Sequence, residues 1–276
     1  TPNRTDNIDI MKFCGDNLIY EKGLIDGVNL KILCNFDYKG INDKYVDYTK
    51  ITWKGKKFDE IQLERQLNKP KRATYVYEHW LEHKQSRTLA FCASIDHCEY
   101  MKKFFIEKGI KAVSVHSQSE TNRTLAIKML NENTIDIIFS VDLFNEGVDI
   151  PAIDTILMLR PTESKIIFIQ QFGRGLRKAK AYGKKFVRVI DFIGNHKSFL
   201  EKPAALFNFD VDANSLGKFV QNYKNNKLNL PDESRVFYSP ETIDFFTKLS
   251  LKIKKEEFVK LPAGDLTKPL LPQIYK

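Results

Sequence analysis

Gln170, Gly173, Arg174 and Arg177 stand in the order Gln-x-x-Gly-Arg-x-x-Arg within FIQQFGRGLRKAKAYGKK, residues 168–185, a stretch without a single acid. A guanidinium group is planar and permanently charged, so two of them on one surface suit the oxygens of a transferring phosphoryl group. Ser164 is a candidate cap for a helix through KIIFIQQFGRGLRKA. Helical spacing then sorts Ile166, Ile169, Phe172 and Leu176 onto an apolar side, and Gln170, Arg174 and Arg177 onto another at i, i+4 and i+7. Gly173 and Gly175 would each cost about 1 kcal/mol against alanine inside a helix, so close approach of a backbone or a ligand is expected there. In isolation the segment reads more often as an amphipathic surface helix with solvated arginines.

The preceding segment IDIIFSVDLFNEGVDIPAIDTILMLR supplies a strand, Ser140, a loop through Gly147, Asp149 and Pro151, and a second strand that leads into the arginine helix. Ser140 and Gly147 are expected at a strand's carboxyl end, placed for backbone contacts with phosphate. Asp149 could accept from a ribose hydroxyl or orient an arginine. Taken singly, Gly147 and Pro151 are turn chemistry and Asp149 is a solvated loop acid.

These residues need a framework, and from about residue 70 the chain alternates strands and helices. RTLAFCA (87–93) reads as a buried strand, and Ser94 caps a helix that ends at Lys108-Gly109. KAVSVH is the next strand, and Ser117 with Glu120 has capping-box spacing before TNRTLAIKMLNEN. IDIIFS, DTILMLR and KFVRVIDF read as further strands. This rhythm predicts an α/β fold with a mostly parallel sheet, helices on both faces and functional loops at the strands' carboxyl ends. Residues 1 to about 65 differ, with one candidate strand in KILCNFDYKGI and a helix over FDEIQLERQLNK that stops near Pro70. Residues 196–276 carry helical patterns, notably ETIDFFTKLSLKIKKEEF, and a Pro-interrupted end expected to be extended.

The 276 residues, 42% hydrophobic with 20 Phe, can fill a substantial core. Lys and Arg number 44 against 35 Asp and Glu, a net charge of +9 that favours a polyanionic partner. Cys14, Cys34, Cys92 and Cys98 form no C-x-x-C pair, so neither a zinc site nor a disulfide framework is indicated. No apolar run of the roughly 18 residues that a membrane span needs exists, and the polar start lacks a signal peptide's regions. No membrane partner and a cytoplasmic location are therefore expected.

Together, and in this order, the segments resemble the second RecA-like domain of superfamily 2 helicases of the DEAD/DEAH type. SVDLFNEGVDIP is similar to that family's motif V, and Gln170-x-x-Gly173-Arg174-x-x-Arg177 to its motif VI. TLAFCAS stands in the place of motif IV, VSVHS in that of the following strand and its nucleic-acid-facing loop, and Thr1-Pro2 resembles the end of motif III. CGDNLIYEKGLIDGVNL and DFIGNH resemble bacterial proteins related to restriction-enzyme motor subunits.

The resemblance implies three parts: residues 1–69, the remnant of a first RecA-like domain plus linker; 70–195, the second RecA-like domain; and 196–276, a mainly helical extension. It implies Arg174 and Arg177 as finger residues, with Gln170, Gly173, Gly147 and Asp149 on the ATP side. Ser94, His116, Ser117 and Ser140 become candidates for nucleic-acid contacts, although a lone His in a strand-to-helix loop is more often structural. The partners implied are nucleic acid, DNA before RNA, and the first RecA-like domain of the same parent. ATP and Mg2+ are the implied cofactors, but no G-x-x-x-x-G-K-[ST] phosphate loop exists in the chain, so the Mg2+ ligands are expected elsewhere in that parent. The DESR at 232–235 reads as a loop. A rival reading is a regulatory module of the same fold that binds nucleic acid or protein without an ATP cycle.

Overall fold

The computed structural model describes residues 23–55, 57–141, 150–162 and 164–259, with side chains as far as residue 254. Helix α1 (Leu24–Asn29) leads into strand β1 (Asn35–Asn42), then a short antiparallel pair, β2 (Trp53–Lys54) with β3 (Lys57–Phe58), then α2 (Glu60–Leu67) and α3 (Pro70–His83). The alternation follows as β4 (Thr88–Phe91), α4 (Ile95–Glu107), β5 (Ala112–Val115), α5 (Arg123–Asn131), β6 (Ile137–Ser140), β7 (Thr155–Met158), α6 (Lys165–Gly175) and β8 (Phe186–Ile193). After it come α7 (Glu201–Phe207), α8 (Ala213–Lys224), β9 (Arg235–Tyr238) and α9 (Pro240–Val259).

Seven strands form one sheet in the order β5-β6-β4-β7-β8-β1-β9, and every neighbouring pair is parallel. Parallel strands need crossover connections, and the helices that supply them cover both faces. Strand residues alternate between two cores. Leu89 and Phe91 of β4 join Phe168 and Phe172 of α6 on one face, while Ala90 joins Val76 and Trp80 of α3 and Phe105 of α4 on the other. The expected α/β architecture, a parallel sheet with helices on both faces, is the one observed.

Local chemistry sets several ends as read from the sequence. The Ser94 hydroxyl accepts from the His97 amide at 3.1 Å to start α4, and Gly109, at φ 81°, follows its end in the left-handed region that glycine tolerates. Elsewhere the structure departs from the sequence reading. Asn122, not Ser117, caps α5 through the Leu125 amide, because the chain first turns at His116–Ser119. Pro70 opens α3 at its first position, where a missing amide hydrogen costs nothing, so it separates two helices.

The expected boundaries at 69/70 and 195/196 cut through the sheet. β1 pairs with β8 from Asn35↔Phe186 to Asn42↔Ile193, and β9 pairs with β1 on its other side. Segments taken for a preceding remnant and a following extension thus build two of the seven strands, since pairing between residues some 150 positions apart leaves no local trace. Residues 1–22, with Thr1-Pro2, and 260–276, with the expected extended end, lie outside the described residues.

Candidate functional site

β7 ends at the sheet's carboxyl edge, so α6, which connects it to the parallel β8, runs back toward the amino edge. Its last residue, Gly175, packs where a Cβ would sit 2.5 Å from Val187 Cγ2 and 2.7 Å from Ile156 Cδ1, near the starts of β8 and β7. The Leu176 carbonyl accepts from the Cys34 amide at 2.8 Å, just ahead of β1. Arg174 and Arg177 therefore lie at the amino edge, not at the carboxyl ends where functional loops were expected. The cause is geometric: a crossover helix must return to the edge where the next parallel strand begins.

The helix ends at Gly175, with the Leu176 amide donating to Gly173 O at 3.2 Å in a tightened last turn. Arg177 lies beyond it, so the expected i, i+4, i+7 face extends only from Gln170 to Arg174. Those two are half-buried and Arg177 is exposed; each has interactions within the structure. The buried stripe is Phe168, Gln171, Phe172 and Gly175, while Ile166 and Ile169 are only half-buried. The two glycines have different surroundings. Gly175 is required by close packing on the sheet, whereas a Cβ at Gly173 meets nothing within 4 Å among the described residues.

Lys184, which no spacing in the sequence marks, ties the segment before β7 to the segment after α6. Its ammonium donates to Pro151 O at 3.0 Å and to Arg177 O at 2.8 Å. Burial pushes the pKa of this amine down, against the pull of Cys34 and Asp154, and burial likewise pushes the Cys34 thiol up. Gly147 and Asp149 lie outside the described residues. Between Ser140, at the end of β6, and Thr155, at the start of β7, the chain passes from the carboxyl edge to the amino edge.

The four nucleic-acid candidates fall at the carboxyl edge, after β4, β5 and β6. Ser94 also donates to Glu64 Oε2 at 2.6 Å, so its hydroxyl is committed at both ends. His116 is buried; its Nδ1 accepts from the Gln118 amide at 3.2 Å, which leaves Nε2 to donate to Glu99 Oε1 at 2.8 Å. Burial works to raise the Glu99 carboxyl, yet hydrogen bonds from Lys102, Ser114 and His116 outweigh it and hold the group at about 2. Ser117 is exposed. Ser140 is fully buried, and its hydroxyl has no partner among the described residues. A cavity of about 570 Å³ opens at the same edge beyond β1 and β8, lined in part by Asn42, Lys44, Lys50, Lys69 and Asn195. None of the residues singled out from the sequence lines it.

For a metal, the described residues offer His79, Glu82 and His83 on α3, whose donor atoms lie within 4.8 Å of one another. Burial lowers the pKa of both imidazoles and so favours the neutral form that binds metal. Their H-x-x-E-H spacing was the sequence signal for them.

Residues 69–179 match the family described as the helicase conserved C-terminal domain. A Saccharomyces cerevisiae protein named as a candidate ATP-dependent helicase, IRC3, is 28% identical over 184 residues, covering 65% of this chain. A Schizosaccharomyces pombe protein named as a candidate mitochondrial ATP-dependent helicase, irc3, is 25% identical over 252 residues, covering 90% of this chain. The chain spans 26% and 40% of the length of these relatives. Among solved structures, a fragment of a candidate HsdR subunit of a type I restriction enzyme from Vibrio vulnificus YJ016 shares the fold, with a TM-score of 0.54, 21% identity, and coverage of 70% of this chain and 38% of that one. A parallel sheet covered on both faces and the domain match converge: the chain has an α/β RecA-like fold, and over residues 69–179 it is similar to the helicase conserved C-terminal domain.

Proposed function

We propose that the chain is the C-terminal portion of an ATP-dependent nucleic-acid translocase or helicase in which Arg174 and Arg177 close onto ATP held by a first RecA-like lobe. The observation that carries this reading is the Lys184 bridge, which gathers the ends of motifs V and VI at one sheet edge. Arginines delivered by lobe closure stabilise the charge that develops on the transferring phosphoryl group, and Gly173 leaves open space beside them. Gln170, Gly147 and Asp149 complete the ATP side. The phosphate loop and the Mg2+ ligands belong to the first lobe, so the isolated chain does not turn over ATP. Of the four nucleic-acid candidates at the opposite edge, the exposed Ser117 meets the strand directly, while Ser94, His116 and Ser140 support that edge from within; DNA is the proposed track, as in the restriction-type motors the sequence resembles. A cytoplasmic location belongs to the same proposal.

The test is Arg174→Ala and Arg177→Ala in a parent that includes the first lobe, with the exposed Lys103→Ala as control. Loss of one such donor typically costs about 2.7–4 kcal/mol, a fall of roughly 10²–10³ in turnover number, with nucleic-acid affinity largely kept. Equal loss in the Lys103 variant rejects the finger assignment.

A further inference from the structure

The basic tail of motif VI continues past the arginines, and the fold gives it a second use. A cavity of about 450 Å³ opens at the amino edge, beneath the starts of β1, β8 and β9, and five lysines line it: Lys31, Lys178, Lys180, Lys184 and Lys185. The turn at Gly183, at φ 68°, folds the segment so that Lys178 and Lys180 on one arm and Lys184 and Lys185 on the other reach the same space. The Lys178 ammonium donates to the Lys31 carbonyl, which ties this loop to the end of α1. Lys184 is half-buried and spends its donors on Pro151 and Arg177, while the other four lysines are exposed.

Among the described residues only two acids, Asp232 and Glu233, line the cavity, and Glu233 accepts from the Asn35 amide group at 3.0 Å. Among the described residues none of the four exposed lysines pairs with a carboxylate. Like charges held around one cavity repel, and a bound polyanion relieves that repulsion. Lysine meets phosphate as a flexible point charge without reading sequence.

We propose that this cavity is a second binding site for the phosphodiester backbone of nucleic acid, on the sheet edge opposite Ser94, His116, Ser117 and Ser140. The identity of the polyanion rests on the nucleic-acid reading above; the site itself rests on the lysine geometry. A strand held here lies beside Arg177, so it binds on the same edge as motif VI.

The experiment titrates a labelled single-stranded oligonucleotide into the 276-residue chain at several salt concentrations. The variant Lys31→Gln/Lys180→Gln/Lys185→Gln keeps Lys178 and Lys184, whose ammonium groups hold the loop. A comparison variant, Lys103→Gln/Lys108→Gln/Lys128→Gln, removes the same charge from exposed positions on and beside α4 and α5. With about 0.7 of logarithmic salt slope for each single-strand phosphate contact, the first variant should flatten the slope by about 2 and the second should leave it unchanged. Salt-dependent binding on which the two variants act alike overturns the site and leaves the helicase reading standing. No salt-dependent binding by the unaltered chain overturns the nucleic-acid reading, and the site with it.

Discussion

Alanine at Gly173 and at Gly175 should shift stability in opposite directions, although the two glycines are two residues apart on one helix. At Gly173 an added methyl meets no atom of the described residues within 4 Å, so the substitution returns the helix propensity that glycine forfeits, up to about 1 kcal/mol. For a chain of this size that is a rise in unfolding midpoint of about 2–4 °C. At Gly175 the methyl would sit 2.5 Å from Cγ2 of Val187, a fully buried β-branched residue of β8, and 2.7 Å from Ile156 Cδ1. Overpacking of this kind costs about 1–3 kcal/mol, more than the propensity gain of up to about 1 kcal/mol, so the net shift is destabilising. Thermal and urea unfolding followed by circular dichroism would read both. If Gly173 is kept open for nucleotide, Gly173→Ala should also slow ATP turnover in a two-lobe parent while making the chain more stable. Destabilisation by Gly173→Ala, or shifts of the same sign for the two variants, would refute the assignment of one glycine to packing and the other to open space.

Two further outcomes follow from buried and half-buried charges. Arg72 is fully buried, donating to Asp43 Oδ2 at 2.9 Å and to Leu159 O at 3.0 Å, so Arg72→Met should cost about 3–5 kcal/mol in urea unfolding by stranding the Asp43 charge; Asp43→Leu added to it should recover part of that loss, and no recovery would show that packing, not charge, sets the cost. The Glu99 carboxyl is held at about 2 in the folded chain against an ordinary 4.5, so its contribution is present above pH 4.5 and is lost as pH falls toward 2. Glu99→Gln should therefore lower stability at neutral pH by about 1 kcal/mol or less, the group being 40% exposed, with the gap closing as acid is added; a gap constant with pH would exclude ionisation as its source.

The sequence by itself determined whatever depends on neighbours along the chain. The buried strands at 88–91, 137–140 and 155–158, the Ser94 cap and the left-handed Gly109 follow from short-range sterics and hydrogen bonding, so the alternation and the parallel sheet were legible. So was the Gln-x-x-Gly-Arg-x-x-Arg pattern, because Gln170, Gly173, Arg174 and Arg177 share one short segment. Tertiary structure decided which edge the arginines occupy, since only the return of α6 across the sheet carries them to the amino edge. It decided that 35–42 and 235–238 belong to the same sheet as 88–193, a pairing that rests on registers between distant residues. Arg177 left the arginine face because the helix ends where Gly175 must pack on Val187, a contact with a strand not yet reached in the sequence. Lys184 was one lysine among many until the chain brought two carbonyls, from Pro151 and Arg177, within reach of its ammonium: hydrogen bonds between segments are set by where the backbone passes, and composition carries no record of that path.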